Sequence, residues 1–384
     1  MMQNKWNIFS PWTVNFIHWG LIVLLLLLFP TSLWPITDRF WISLALWMTG
    51  FTVASVLCGW RKDQLTLDQM HFTFNNTIYN IFLAISIIIT PLYLLEMYKL
   101  IIDFGMDNIM YSARMVALDE DTKISIVRYS ILINQALFVI TVFAGKQLPW
   151  WKHLLVTLLY FSCGLIIMEK GTFFFMGAIA IMIYYMRGYI RIRHIIIAGL
   201  LFIASSFIFT IARSDDYESI NDKASFSEFV EVYLLASPIA YCYMPDETSN
   251  QFGANTFSQF YVLANKLHPN QYEEKEKLQD FIDIGALTNT YTVFQPFYLD
   301  FGQTGVALFA ILYGILIGLI YKYFRKGNAF AAVLYAYLMA MLCTQFHQEE
   351  IFTSFIRTMQ FCFFAILLMI PTPTPNIDNH ETHP

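Results

Sequence analysis

Residues 14–33 read VNFIHWGLIVLLLLLFPTSL, an almost unbroken run of apolar side chains. A helix needs about 20 such residues to cross the hydrocarbon core of a bilayer. Of the 384 residues in the chain, 57% are hydrophobic and 13% are charged, whereas soluble domains have roughly 25% charged residues. The chain is therefore predicted to be an integral membrane protein, and this run is predicted to be its first transmembrane helix.

Further apolar runs follow along the chain. They lie at 40–59, 77–97, 126–144, 150–168, 172–186, 194–211, 303–323, 330–346 and 350–370. We predict an all-α polytopic membrane protein with about ten transmembrane helices that form one domain over residues 1–370. The first run has no small-residue cleavage site after it, so it is expected to remain as a signal anchor.

The distribution of charge predicts the orientation, because cytoplasmic loops are enriched in Lys and Arg. The longest connection, 212–300, has fourteen acidic and five basic residues and is predicted to face the periplasm, as is the loop 98–125. Both termini are then cytoplasmic, and the Pro-rich tail 371–384 is expected to be disordered. This orientation places the following basic residues inside: Lys5, Arg61, Lys62, Lys146, Lys152, Arg187, Arg191, Arg193, Lys322, Arg325 and Lys326.

An amphipathic helix is predicted early in the long loop. Apolar residues recur there at helical spacing, with Glu228 and Glu231 on the opposite side. The apolar residues are Phe226, Phe229, Val230, Tyr233 and Ala240. We expect this helix to lie at the membrane interface and to roof a cavity.

A polar stripe is predicted at the outer end of the last span. His347, Glu350, Ser354 and Arg357 fall within about 80° of one another on an ideal helix. Charged groups at membrane depth are costly and are therefore functional candidates. The stripe is either a packing network between Glu350 and Arg357 or one wall of a substrate cavity.

Three cations lie at predicted outer ends of spans. They are Arg114, Lys170 and Arg213. Arg binds phosphate oxygens through a planar fork and Lys binds them as a point charge, so cations that converge could hold a diphosphate leaving group. The alternative for each of them is simple anchoring at the membrane border.

No cofactor or metal is expected. Asp280 and Asp283 are three residues apart, and no set of His, Cys and carboxylate residues has the spacing of metal ligands, so the chemistry is predicted to be metal-independent. The absence of a Gly-rich phosphate loop and the short inward loops argue against an ATP-driven machine. No nucleic-acid partner is expected.

Two segments carry a family resemblance. Residues 252–260 read Phe-Gly-Ala-Asn-Thr-Phe-Ser-Gln-Phe, and residues 289–305 read Asn-Thr-Tyr-Thr-Val-Phe-Gln-Pro-Phe-Tyr-Leu-Asp-Phe-Gly-Gln-Thr-Gly. With the topology, they resemble the Wzy-type oligosaccharide repeat-unit polymerases, also called O-antigen polymerases. The resemblance is sharpest over about 225–320.

The resemblance implies a glycosyltransferase of the bacterial inner membrane. Such an enzyme moves a growing glycan from undecaprenyl diphosphate onto the non-reducing end of a lipid-linked repeat unit in the periplasm. The implied partners are undecaprenyl-diphosphate-linked oligosaccharides and membrane lipid, with a chain-length regulator and a flippase of the same pathway.

The resemblance also suggests roles for individual residues. Arg114 and Arg213 are assigned to the diphosphate, and so is Lys170, although family members often have Arg-Gly where this chain has Lys170-Gly171. His347 or Glu350 is expected to activate the acceptor hydroxyl. The remaining candidates for substrate binding are Asn289, Tyr291, Asp300 and Arg357, of which the first three could instead cap loops and helix starts.

Two other functions remain open from the sequence. An O-antigen ligase would use the same cations but send the glycan to lipid A-core. A lipid-linked oligosaccharide flippase or other transporter would be expected to show repeat symmetry and broken helices, neither of which is clear in the sequence.

Overall fold

The computed structural model describes most of the chain. The described residues are 8–28, 31–60, 67, 70, 72–105, 108–118, 126–213, 226–246, 251–269, 271–275 and 279–370, without the side chains of 118, 212 and 213. The predicted cytoplasmic tail, 371–384, lies outside them. All structural statements below concern the described residues.

Helices dominate this part of the chain. The α-helices are α1 Pro11–Leu28, α2 Asp38–Gly59, α3 Asn76–Phe104, α4 Ile109–Leu118, α5 Ser130–Ala144, α6 Trp150–Ile166, α7 Lys170–Met186, α8 Ile192–Arg213, α9 Phe226–Tyr243, α10 Ser258–Leu267, α11 Gln295–Arg325, α12 Ala329–Leu342 and α13 Phe355–Met369. Short 3₁₀ turns lie at Ile126–Tyr129 and Gly145–Gln147. The strands β1 Ile282–Asp283 and β2 Leu287–Thr288 form a small antiparallel hairpin.

The helices have the lengths and apolar character that membrane spans require. Six described segments are long and apolar enough to cross a bilayer: α1, α2, α3, Ile126–Gln147 (which contains α5), α8 and α11. The shorter helices α6, α7, α12 and α13 are also apolar. Each coincides with one of the predicted runs, so the all-α, multi-pass membrane class is confirmed. The count of ten spans and their orientation stay predictions.

Small residues let α2 and α11 pack closely. A methyl group placed on Gly314 would lie 2.6 Å from the carbonyl oxygen of Phe51 and 2.7 Å from Cβ of Ala54. One turn further along α11, a methyl group on Gly318 would lie 2.8 Å from the carbonyl oxygen of Ser55. Close backbone contact through small residues is a common way for helices to associate in membranes, where lipid gives no hydrophobic drive.

The long connection packs onto one end of the helix bundle. Its residues hydrogen-bond with the chain between α1 and α2, as when the amide of Ser32 donates to Glu231 over 2.8 Å and that of Trp34 to the carbonyl of Ile284 over 2.9 Å. We call this end of the bundle, which carries residues 226–246, 251–269, 271–275 and 279–290, the loop end. The loop between α1 and α2 and the starts of α7 and α13 lie there.

The predicted amphipathic helix is present as α9, but its placement differs from the expectation. The second half, from Leu235 to Cys242, is buried in the protein core rather than lying on a membrane surface. The first half contributes Glu228, Phe229 and Tyr233 to the wall of a cavity.

The predicted helical stripe from His347 to Arg357 is wrong in its geometry. Helix α12 ends at Leu342 and α13 begins at Phe355, so the chain between them is not helical. Of the four stripe residues, Arg357 alone lies on α13. The physical reason is a buried carboxylate, Glu349, which binds the backbone of this connecting segment.

Candidate functional site

A cavity of about 1030 Å³ lies between α1, α7, α8, α9 and the segment joining α12 to α13. Its polar part is lined by His347 and by six charged residues: Arg114, Lys170, Arg357, Glu169, Glu228 and Glu350. Its apolar part is lined by residues of α7 and α8, among them Phe174, Ile181, Ala198, Gly199, Phe202 and Phe207. Since Lys170 begins α7 at the loop end, Ile181 lies about three turns deeper in the bundle.

Two arginines of the cavity lack hydrogen-bonded protein partners in the described part of the chain. Arg114 lies on α4 and Arg357 near the start of α13, and neither forms a hydrogen bond or an ion pair with the described residues. Burial lowers the pKa of Arg114, and the nearby Glu169 acts in the opposite direction. Because arginine side chains in proteins stay protonated at neutral pH, both guanidinium groups present positive charge to the cavity.

Lys170, in contrast, is held by the protein. Its Nζ atom donates a hydrogen bond to Oγ1 of Thr210 over 2.6 Å and lies 5.4 Å from the ring centroids of both Phe229 and Tyr233. Cation–π contacts of this kind are favourable, more so when the cation is partly desolvated. Lys170 thus joins α7, α8 and α9 while it lines the cavity.

The turn before α7 contributes Glu169. Met168 has a left-handed backbone, with φ of 50°, which is unusual for a residue other than glycine. The carboxylate of Glu169 accepts a hydrogen bond from the hydroxyl of Thr172 over 2.5 Å. Sequence reasoning missed this residue as a site candidate, although it precedes Lys170 directly.

His347 lies among hydroxyl groups. Its Nδ1 atom is 3.4 Å from Oγ of Ser237, which is 2.8 Å from Oγ1 of Thr290. Burial, reinforced by the positive charge of Lys170, lowers the pKa of His347 to about 4. The imidazole is therefore neutral at physiological pH and can exchange hydrogen bonds with a polar ligand.

Glu350 is the second predicted catalytic residue in the cavity. Its Oε1 atom accepts a hydrogen bond from Nε2 of Gln348 over 2.5 Å. Burial raises the pKa of Glu350, while Gln348 and Arg357 act to lower it. A carboxylate with a raised pKa is a stronger base than an ordinary one when it is ionised.

The segment that presents His347 and Glu350 is fixed from behind. The carboxylate of Glu349 accepts hydrogen bonds from the amides of Ile351, Phe352 and Thr353 and from the hydroxyl of Tyr313. Closer to α12, Oε1 of Gln345 accepts a hydrogen bond from the indole of Trp47, and the backbone carbonyl of Gln345 accepts one from the amide of Val293. Residues that point into the core thus hold those that point into the cavity. Sequence reasoning missed Glu349.

The other predicted residues divide between the cavity and its surroundings. Asn289 lines the cavity. Tyr291 is buried, and its hydroxyl donates to the carbonyl of Asp280 over 3.0 Å. Asp300 accepts hydrogen bonds from the amides of Asn255 and Thr256 over 3.1 and 2.6 Å, and it is not among the residues that line the cavity.

Arg213 ends α8, and its side chain lies outside the described residues.

His18 of α1 lines the cavity, and its Nε2 atom is buried without a partner in the described chain. The sequence analysis missed this residue, because a lone histidine in an apolar run does not indicate a site. Within the described residues, no three His, Cys, Asp or Glu side chains are placed to hold a metal ion.

The fold and the cavity define a multi-pass α-helical membrane protein with a charged binding site at one end of its bundle. Residues 261–346 match the model of the family described as "Putative O-antigen polymerase". This match covers less than a quarter of the chain; it supports the predicted resemblance to the Wzy-type O-antigen polymerase family over a segment that includes the 289–305 motif, while the 252–260 motif lies outside it. Searches of curated proteins and of solved structures found no significant match.

The similarity to this family suggests a coarse function. It implies a role in O-antigen polymerisation, a membrane enzyme of glycosyltransferase type, and a lipid-linked oligosaccharide substrate in the membrane. The matched segment contains the 289–305 motif and extends to Phe346, one residue before His347. The family match and the cavity therefore meet at the connecting segment after α12.

Proposed function

We propose that the protein polymerises undecaprenyl-diphosphate-linked oligosaccharide repeat units at the periplasmic face of the inner membrane, and that Arg114 and Arg357 bind the diphosphate. The observation that carries the proposal is that these two arginines line one cavity with His347 and Glu350 and lack hydrogen-bonded protein partners in the described chain. Guanidinium groups form strong, directional hydrogen bonds with phosphate oxygens. An anionic ligand would supply the partners that the protein does not.

The proposed reaction is a glycosyl transfer. The acceptor hydroxyl oxygen bonds to the anomeric carbon of the donor sugar, while the bond from that carbon to the diphosphate oxygen breaks. The electron pair leaves with the diphosphate, where the two arginines stabilise the developing charge. Glu350 accepts the hydroxyl proton, because its raised pKa makes it the better base, and neutral His347 hydrogen-bonds to the glycan.

The apolar part of the cavity suits the carrier lipid. Phe174 and Ile181 on α7 and Phe202 on α8 line it, and α8 has few buried residues along its length. A polyprenyl chain attached to a diphosphate at the loop end could run between these helices toward the bilayer. The proposed transfer uses side chains of the protein and no metal.

The first experiment tests the pathway step. A strain that lacks the protein is complemented with wild type or with variants at matched expression, and surface lipopolysaccharide is separated on a gel. We expect the deletion strain to carry a single repeat unit on its core. Bare core would contradict polymerisation and indicate the ligase or flippase step instead.

The second experiment tests the arginines. Arg357→Ala and Arg114→Ala are each expected to reduce polymerisation roughly 10- to 100-fold, since a hydrogen bond to a charged group contributes about 1.5–3 kcal/mol and 1.4 kcal/mol is tenfold. The control is Arg193→Ala, the same change at an exposed residue near the start of α8, at the end of the bundle opposite the loop end. Wild-type ladders from both cavity variants would refute their assignment to the diphosphate.

A further inference from the structure

Helix α10 leaves an apolar stripe exposed on the surface of the protein. Phe260, Leu263 and Leu267 are 40%, 50% and 74% exposed. On an ideal helix these three residues fall within about 60° of one another, so they form a continuous face. Such a face is costly in water and indicates a covering partner.

The opposite side of α10 is bound to the protein. Asn265 donates hydrogen bonds to the carbonyl of Tyr272 over 2.8 Å and to Glu274 over 2.7 Å, and it accepts one from the amide of Tyr272 over 3.0 Å. These contacts fix the rotation of the helix about its axis. The apolar stripe is therefore held outward by the fold.

The stripe continues into the lipid-facing surface of the transmembrane helices. The ring of Phe260 stacks on that of Phe355, the first residue of α13, with centroids 4.6 Å apart. Further along α13, Met359, Phe363 and Ile366 recur at helical spacing and are all exposed, as expected for a side that faces acyl chains. One apolar surface thus runs from α10 down the outside of α13.

We propose that α10 lies in the headgroup layer of the bilayer at the loop end, with Phe260, Leu263 and Leu267 inserted among the lipids. The continuity with the exposed side of α13 favours lipid over a protein partner, because the same bilayer already covers the neighbouring helix. Lys266, exposed beside the stripe, is placed to contact lipid phosphates. In this position α10 anchors the long connection to the membrane beside the cavity.

The proposal is tested by the environment of single side chains. A nitroxide label is attached to Leu263→Cys and, as the matched control, to Lys266→Cys, in protein reconstituted into phosphatidylethanolamine–phosphatidylglycerol nanodiscs. Wild type labelled in parallel gives the background from the five native cysteines. Accessibility is measured to oxygen, which concentrates in lipid, and to a water-soluble nickel chelate.

The outcomes are distinct. We expect the label at Leu263→Cys to be severalfold more accessible to oxygen, and severalfold less accessible to the chelate, than the label at Lys266→Cys. Equal and high chelate access at both sites would show α10 in water and overturn the proposal. Low access to both reagents at Leu263→Cys would show coverage by protein, such as a second copy of the chain, and would overturn it as well.

Discussion

Glu349 should control both the stability of the protein and the presentation of the cavity residues. The residue is 5% exposed, and its carboxylate accepts hydrogen bonds from the amides of Ile351, Phe352 and Thr353 over 2.6, 2.9 and 2.7 Å, as well as from the hydroxyl of Tyr313. Leaving a buried donor unsatisfied costs about 1–3 kcal/mol. Glu349→Ala strands four such donors, so we expect it to destabilise the protein by at least about 4 kcal/mol.

Two milder substitutions should cause smaller losses of stability than Glu349→Ala. Tyr313→Phe removes one donor and leaves the carboxylate on the three amides, which should cost about 1–2 kcal/mol. Glu349→Gln keeps one oxygen for Ile351 and Tyr313 but turns an amide group toward the amide of Thr353, which should cost about 2–3 kcal/mol. The predicted order of destabilisation is therefore Glu349→Ala, then Glu349→Gln, then Tyr313→Phe.

The assay is thermal unfolding of the purified protein in detergent, read as the folded fraction by size-exclusion chromatography after heating. The control is Glu273→Gln, a change at a largely exposed side chain that should alter stability by less than about 0.5 kcal/mol. The glycan ladder should weaken in the same order, because the segment carries His347 and Glu350. If Glu349→Ala unfolds at the temperature of the control, the carboxylate does not hold the segment and the prediction is wrong.

Three further predictions concern single contacts. Gly314→Leu should sharply reduce the yield of folded protein, because even a methyl group at this position would lie 2.6 Å from a backbone oxygen of α2. The control Gly20→Leu should be tolerated, since a methyl group there would have no atom within 4 Å. Equal yields of the two variants by size-exclusion chromatography would contradict this prediction. Burial lowers the pKa of His347 to about 4, so as the pH falls the unfolded chain binds a proton at this residue before the folded protein does. The stability of the folded state should therefore decline as the pH falls from about 6.5 to 4. His347→Gln should remove that part of the pH dependence of Tm, and an unchanged profile would contradict the lowered pKa. His18→Phe should raise Tm, since it removes a buried ring nitrogen without a partner in the described chain, and a lower Tm would indicate that the nitrogen is satisfied.

The membrane class and the helices could be predicted because runs of about 20 apolar residues rarely occur outside membrane spans. The run at 330–346 corresponds to α12, Ala329–Leu342, and the run at 350–370 to α13, Phe355–Met369. The predicted helical stripe between these two helices is wrong, because a hydropathy pattern does not show that a side chain hydrogen-bonds to the neighbouring backbone. Glu349 takes the amides of the next few residues and so competes with helix formation.

The candidate site was partly predictable for a related reason. Cations at the ends of apolar runs are rare enough to be noticed, and Arg114 and Lys170 do line one cavity with His347. Spacing could not predict that Glu169 joins them, because its place depends on the left-handed turn at Met168. It also could not separate Asp300, whose carboxylate binds the backbone before α10, from residues that line the cavity.

The cations of the cavity differ in how the protein compensates their charge, and this difference indicates what the cavity is for. Lys170 has a hydroxyl group and two aromatic rings around it, so its burial is offset within the fold. Arg114 and Arg357 have only nearby carboxylates, Glu169 for both and Glu350 for Arg357, and neither forms a hydrogen bond or a close ion pair within the described residues. The fold thus gives Lys170 direct polar and aromatic contacts and leaves the guanidinium donors of the two arginines without hydrogen bonds in the described chain, which is why we propose that an anionic ligand binds them. That requirement joins the geometry of this chain to the lipid-linked diphosphate substrate proposed for it.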